Sequence, residues 1–142
     1  MDLGLDVEGS RVFGPTTVSV ILLDTHALLW FDRDHPRSRP LARWAGRLYI
    51  SPASLLEVQL LAEAKRIRLR RGATPAALAG DARWLLDNPP SIAWFEEAWG
   101  VPWARDPFDR LLVAHAHHRG WRLATADTTL LGRLGSAGAV EL

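Results

Sequence analysis

The 142-residue sequence predicts one three-layer α/β domain in which a central, mainly parallel sheet is flanked by helices. Two observations predict this class. Short apolar runs alternate with longer segments of helical spacing, as in strand–helix–strand units. In addition, the apolar runs at residues 18–23, 48–50 and 121–124 each end directly before a polar residue. Parallel strands joined by right-handed crossovers place such ends on one edge of the sheet.

Length and composition exclude several classes of protein. The chain has no Cys, which rules out disulfides and thiolate–zinc sites and is compatible with a cytoplasmic location. The net charge of +1 gives no global polyanion signal, so any nucleic-acid binding must be local. No apolar run approaches the ~20 residues of a membrane span. We expect residues 1–17, rich in Gly and acids without a basic start, to be a disordered lead rather than a secretory signal, and residues 18–142 to be the domain.

The first half of the domain is predicted from apolar runs and helix caps. Residues 18–23 are β-rich and apolar, as in a buried parallel strand. Ser51 followed by Pro52 is an N-cap and first-turn pair that starts a helix. In chain order we predict a strand at residues 18–23, a helix at 27–31, a polar turn at 32–40, a helix at 41–45, a strand at 48–50 and a helix from 52 to about 66.

The second half follows the same logic. A basic alternating stretch at residues 66–71 is a solvated face or an RNA-backbone patch. His115, His117 and His118 are expected to benefit from the negative end of their helix rather than to bind metal. In chain order we predict a helix at residues 76–86, an ambiguous aromatic segment at 92–99, a helix at 107–119 stopped by Gly120, a strand at 121–124, a helix at 128–134 and a last strand at 139–142.

Four acids occupy unusual places for their elements. Asp24 and Asp127 come just after strands, at the sheet edge where open α/β proteins bind ligands. Asp109 lies in the first turn of a helix that Asp106 caps, where a capping box alone would also explain it. Glu57 is predicted on the inward face of its helix, either paired with Arg110 or facing a cation.

Four converging carboxylates repel each other unless a dication holds them. Oxygen ligands without Cys or a convincing His set indicate Mg²⁺ or Mn²⁺. Such ions support phosphodiester displacement by stabilising its developing charge. The hydroxyls of Thr25 and Thr125 are expected to orient water or carboxylates around the ion.

These motifs resemble the PIN-domain family, most closely the VapC-type toxin ribonucleases, over nearly the whole predicted domain. The block of residues 105–114, Arg-Asp-Pro-Phe-Asp-Arg-Leu-Leu-Val-Ala, is the most specific of them. The family's four metal positions match Asp24, Glu57, Asp109 and Asp127, with Thr25, Asp106, Arg110 and Thr125 expected around them or on the substrate. The resemblance implies a PIN-like fold, metal-dependent endoribonuclease activity and a small cognate antitoxin, with a homodimer expected. One departure is that residues 86–103 look short for the family.

Two rival functions make different demands on the sequence. A phosphoaspartate receiver or a dehalogenase-type phosphatase needs a lysine after a late strand, whereas the single lysine, Lys65, falls inside the third predicted helix. The phosphatase also needs an acid where His26 stands. A non-catalytic RNA- or protein-binding module on the same fold remains as the alternative, although all four acids are present.

Overall fold

The computed structural model describes residues 19–70 and 72–142. The predicted lead at residues 1–17 lies outside them, so the domain boundary stays a prediction. The strands are β1 (Val20–Leu23), β2 (Arg47–Ile50), β3 (Leu85–Leu86), β4 (Arg122–Thr125) and β5 (Ala139–Glu141). The helices are α1 (Thr25–Asp32), α2 (Arg39–Ala42), α3 (Pro52–Glu63), α4 (Pro75–Ala79), α5 (Ser91–Trp99), α6 (Pro107–Arg119) and α7 (Thr128–Gly138).

The five strands form one sheet in the order β3-β2-β1-β4-β5, and every pairing is parallel. The chain moves outward from β1 through β2 to β3 on one side, and β4 then pairs with the other side of β1. The direction of winding therefore reverses between β1 and β4. Ligands of open α/β sheets bind at such a switch point, beyond the carboxyl ends of the strands.

Side chains alternate between two cores because the sheet is covered on both faces. Ile21 and Leu23 of β1 join the core beneath α1, whereas Leu22 between them joins the core beneath α6 and α7. All three side chains are fully buried. This arrangement confirms the predicted three-layer class and explains why β1 reads as a continuous apolar run.

Close backbone approach fixes the beginning of the sheet. A Cβ on Gly46 would lie 1.6 Å from the carbonyl oxygen of Ser19, a distance that no side chain tolerates. The same carbonyl accepts from Arg47 N at 2.9 Å and from Trp44 Nε1 at 3.2 Å. Gly46 therefore allows the start of β2 to pack directly beside β1.

The predicted helix at residues 76–86 is wrong in its second half. α4 ends at Ala79, and Leu85 and Leu86 form strand β3, which pairs with β2. Trp84 is buried and its Nε1 donates to the carbonyl of Leu78 at 2.6 Å, so the apolar spacing that suggested one helix comes from a folded-back turn.

Other boundaries also differ from the prediction. α2 covers Arg39–Ala42, so it begins inside the turn predicted at residues 32–40 and ends before residue 45. α3 ends at Glu63, short of residue 66, and Lys65 adopts a positive φ of 57° that no helix continues through. The ambiguous segment at 92–99 is helix α5. α7 continues beyond residue 134 to Gly138, with a break at Gly135, where φ is 66°.

Candidate active site

Two of the predicted acids follow the adjacent strands β1 and β4. Leu23 is paired with Ala124, and the backbone N–H of Asp24 donates to the Ala124 carbonyl at 3.0 Å. Asp127 comes two residues after the last residue of β4, Thr125. The parallel pairing thus brings both acids to the switch point of the sheet.

Asp24 is buried and caps helix α1. Its Oδ1 accepts from the Ala27 N–H at 2.7 Å. Burial raises the pKa of the Asp24 carboxyl, against hydrogen bonds from Thr125 and Ala27 that favour the charged form, and the charge of Glu57 raises it further. A carboxylate kept in such a place without a paired cation is a candidate ligand for a cation.

Thr125 connects the two acids. Its buried side chain hydrogen-bonds Asp24, and its Oγ1 accepts from the Asp127 N–H at 3.0 Å. Asp127 is exposed and caps α7 by accepting from Leu130 N at 3.0 Å. One hydroxyl therefore fixes how the two acids stand relative to each other.

The first turn of α6 supplies the third acid. Asp106 caps the helix by accepting from the N–H groups of Phe108 and Asp109 at 2.9 and 3.0 Å. Asp109 is half-buried, and its pKa is raised to about 7 by burial and then by the charges of Asp106, Glu57, Asp127 and Asp24. All the other acids are therefore within electrostatic reach of Asp109.

The fourth acid, Glu57, is half-buried on α3 rather than fully inward. Leu60, three residues further along α3 and therefore on the same side of the helix as Glu57, is 44% exposed. The alternative pairing with Arg110 is absent from the described part of the chain, because the Arg110 Nε donates instead to the carbonyl of Ala104 at 2.8 Å. Glu57 is thus available to the site, and its charge acts on Asp24 and Asp109.

The donor set fits a hard dication. The negative charges of Glu57, Asp127 and Asp24 help to raise the pKa of Asp109, so all three carboxylates lie near enough to act on it electrostatically. Within residues 19–70 and 72–142, no three acidic or histidine side chains are drawn together tightly enough to form a finished metal site. Asp24 and Asp127 each accept from a helix N–H group through Oδ1, so carboxylate lone pairs remain on both residues as candidate ligands for a cation.

Thr25 occupies a different position from the one predicted. Its buried hydroxyl donates to Ser54 Oγ at 3.1 Å, a contact between α1 and α3. The Thr25 hydroxyl, which was expected to orient water or a carboxylate, therefore joins α1 to α3. Helix α1 follows Asp24, and helix α3 carries Glu57.

The sequence argument missed the role of His115. His117 and His118 lie near the surface at the end of α6, but His115 is fully buried, which contradicts the prediction that all three serve the helix end. Its Nδ1 lies 2.9 Å from Ser51 Oγ and its Nε2 lies 2.7 Å from Asp87 Oδ2. The only signal in the sequence was an apolar neighbourhood, with Ala114 and Ala116 on either side.

A charged and aromatic cavity of about 300 Å³ lies between α1 and the segment that follows α3. Its lining includes His26, Trp30, Arg33 and Arg68. Phe31, the next residue after Trp30 on α1, projects in a different direction and is buried, with its ring centroid 5.8 Å from that of Trp84.

The basic stretch is only partly free. Arg66 and Arg68 are exposed and alternate with the half-buried Ile67 and Leu69. Arg70 is held by Asp32, with 3.0 Å between Nη2 and Oδ1. Among the described residues, the predicted RNA-backbone patch is therefore limited to Arg66 and Arg68, because Arg70 is paired with Asp32. Arg71 lies outside the described residues.

Comparisons with known proteins agree with this geometry. A family model described as PIN domain matches residues 21–134, which contain all four acids. Ribonuclease VapC22 of Mycobacterium tuberculosis (strain ATCC 25618 / H37Rv) is 33% identical over 122 residues, covering 80% of this chain and 91% of that protein.

Solved structures share the fold at low sequence identity. A toxin–antitoxin complex from Klebsiella pneumoniae gives a TM-score of 0.60 at 21% identity, over 86% of this chain and 99% of that one. VapBC-1 from nontypeable Haemophilus influenzae gives 0.59 at 15% identity, over 86% and 97%. The sheet order, the place of the acids and the match over residues 21–134 lead to one conclusion: the chain belongs to the PIN-domain family.

Proposed function

We propose that this chain is a Mg²⁺- or Mn²⁺-dependent endoribonuclease and the toxin of a toxin–antitoxin pair. The observation that carries the proposal is the parallel pairing of β1 with β4, which places Asp24 and Asp127 together at the switch point of the sheet. The raised pKa of Asp109 supports it, because the charges of Asp24, Glu57 and Asp127 contribute to that rise. The name of the relative from Mycobacterium tuberculosis, a ribonuclease, supports RNA as the substrate.

The protein's own residues would divide the work as follows. Asp24, Glu57, Asp109 and Asp127 would hold the ion, which when bound supplies positive charge for a phosphodiester displacement. The Thr125 hydroxyl bonds the carboxylate of Asp24 and the backbone N–H of Asp127, so it orients one of these carboxylates and positions the backbone that carries another. The capping contacts of Asp106 fix the first turn of α6, so that Asp109 meets the ion with little reorganisation.

RNA would approach over the basic side of the domain. Arg66 and Arg68 are exposed, and Arg68 lines the cavity that also includes His26, two residues from Asp24. Phosphate contacts of this kind supply affinity without sequence readout. Arg110 keeps N–H groups beyond the one donated to Ala104, and these suit a phosphate near Asp109.

A small cognate antitoxin is the proposed protein partner. The structural relative from Klebsiella pneumoniae was solved as a toxin–antitoxin complex. An acidic site beside a cavity with Trp30 suits a helix that presents an apolar side chain and an Arg or Lys, because the cation would neutralise the carboxylates as the metal does.

The proposed homodimer has a candidate surface on α5. Ile92, Phe95 and Trp99 are 64%, 47% and 67% exposed, and their spacing places them on one side of the helix. We predict that the protein sediments as a dimer and that Phe95→Asp makes it a monomer of similar melting temperature, since Phe95 is already exposed within one chain. Glu97→Gln, on the opposite side of the same helix, should leave the dimer intact, and a dimeric Phe95→Asp variant would refute this surface.

The direct test is cleavage by the purified protein. Structured and unstructured RNA should be cut internally with Mn²⁺ or Mg²⁺, and cleavage should stop with EDTA and return with added metal. A variant with Asn or Gln at all four acids, purified identically, controls for contaminating ribonucleases. Cleavage that persists in EDTA would refute metal dependence. RNA binding without cleavage would instead favour the non-catalytic binding module.

Among the described residues, no helix is both long and apolar enough to span a bilayer.

A further inference from the structure

A second polar cluster lies along the carboxyl edge of the sheet, beside β2 and β3. Ser51 follows β2, Asp87 follows β3, and His115 comes from the middle of α6. The imidazole is within 2.9 Å of Ser51 Oγ and 2.7 Å of Asp87 Oδ2. Arg119 completes the cluster by donating to both oxygens of Asp87, at 2.8 and 3.1 Å.

The hydrogen-bond pattern assigns the protons. Ser51 Oγ accepts from the Ala53 N–H at 3.2 Å, so its own proton is available for His115 Nδ1. The Nε2–H then donates to Asp87. Burial lowers the pKa of His115, against the raising influence of Asp87, so the ring is neutral and in one tautomer. Every polar atom of this buried chain is satisfied.

A hydrolytic Ser–His–Asp triad does not explain these contacts. Ser51 and His115 are both 0% exposed, so no substrate can reach the hydroxyl. Moreover, Ser51 is committed to capping α3. A nucleophile needs an open approach and a general base beside it, and only the second of these is present.

The cluster joins the two helices that carry Glu57 and Asp109. Ser51 is the N-cap of α3, and His115 lies one and a half turns beyond Asp109 on α6. Where α3 meets α6 the apolar packing is made partly by the small side chains of Ala53 and Ala114. Contacts between methyl groups let one helix slide along the other, whereas directional hydrogen bonds in a buried site favour a single position of α3 relative to α6.

We propose that His115 is a positioning residue: through Ser51 and Asp87 it sets α3 against α6 so that Glu57 and Asp109 meet at one site. The inference rests on the proposed metal-dependent function for its consequence, but its geometric part can be tested separately. His115 touches neither RNA nor metal in this account.

The first experiment measures the helix positions. Because the chain has no Cys, Gln59→Cys and His117→Cys place spin labels on exposed positions of α3 and α6. Pulsed electron paramagnetic resonance should give one narrow distance, and adding His115→Phe should displace or broaden it by roughly 1–2 Å. Val113→Ala, which removes buried volume from the same helix without touching the cluster, should keep the narrow distance.

The second experiment measures Mn²⁺ affinity by calorimetry. We expect His115→Phe and Ser51→Ala to weaken binding by about tenfold or more, as for residues that orient ligands. Val113→Ala should bind like wild type even if it melts lower. His115→Gln, which keeps a donor for Asp87, should recover part of the affinity. If His115→Phe does not fold, Ser51→Ala and Asp87→Asn take its place.

The outcomes separate this inference from the function on which it rests. Wild-type distance and Mn²⁺ affinity in His115→Phe would overturn the positioning role, even with a lower melting temperature. An altered distance with unchanged affinity would overturn the link to the acids. If wild-type protein binds no Mn²⁺, the proposed function fails, and the positioning role fails with it unless the distance change is seen.

Discussion

Asp24→Asn is expected to reduce metal-dependent RNA cleavage by at least about 100-fold, since even residues that only orient metal ligands cost 10–100-fold when changed. The fold should survive, because Asn is as good an N-cap as Asp and can accept from the Ala27 N–H in the same way. Burial raises the pKa of Asp24, so removing its charge also removes a desolvation cost. The melting temperature of the metal-free protein should therefore stay equal or rise.

A matched variant tests whether the effect belongs to the site. Asp81→Asn also neutralises an aspartate, but Asp81 lies outside the site and is bound to Arg83, with 2.8 Å between Oδ2 and Nη2. Its cleavage rate should remain that of wild type. Initial rates on one RNA, with circular dichroism melts of each variant, make the comparison. Wild-type cleavage by folded Asp24→Asn would remove Asp24 from the catalytic set.

Asp109→Asn is expected to abolish cleavage to a similar degree and to stabilise the metal-free protein above neutral pH. The pKa of Asp109 is about 7 in the folded chain against 3.8 for an unperturbed aspartate, so the folded state holds the proton more tightly. Wild-type stability should therefore fall as pH rises from about 4 to about 7, and the variant should lack this loss. After discounting for partial exposure, we expect about 1 kcal/mol at pH 8, or roughly 3–5 °C.

Melting curves at pH 4, 6 and 8 in EDTA measure this difference. The two proteins should melt together at pH 4 and separate progressively towards pH 8, with the variant higher. Asp106→Asn removes the charge that, after burial, raises the pKa of Asp109 most, but it keeps a capping side chain, so it should show part of the same effect. A variant that melts below wild type at pH 8 would contradict the crowded-carboxylate description.

Local patterns were sufficient for the strands that frame the site. β1 and β4 are apolar runs with both faces buried, and each is followed by a polar residue that ends the run. The helix caps were also readable, since Asp106, Ser51 and Thr74 each precede a proline and bind N–H groups of the following turn. Family resemblance then matched the four acids to metal positions.

The errors concern contacts between distant parts of the chain. β3 is two residues long and exists because Leu85 and Leu86 pair with β2, which no local spacing can reveal. His115 belongs to a cluster whose other members are 64 and 28 residues away in sequence. From sequence it differs little from His118, whose surface position the helix-end argument did describe.

The measurement that tests the central claim most directly is proton release on Mn²⁺ binding, by calorimetry in buffers of different ionisation enthalpy. A metal ligand must lose its proton, so a site containing Asp109 with a pKa of about 7 should release about 0.9 proton per ion from that group at pH 6 and about 0.1 at pH 8. Asp109→Asn should remove this difference. Failure to bind Mn²⁺ at millimolar concentration, or release that does not change with pH, would contradict a metal site built from these four acids.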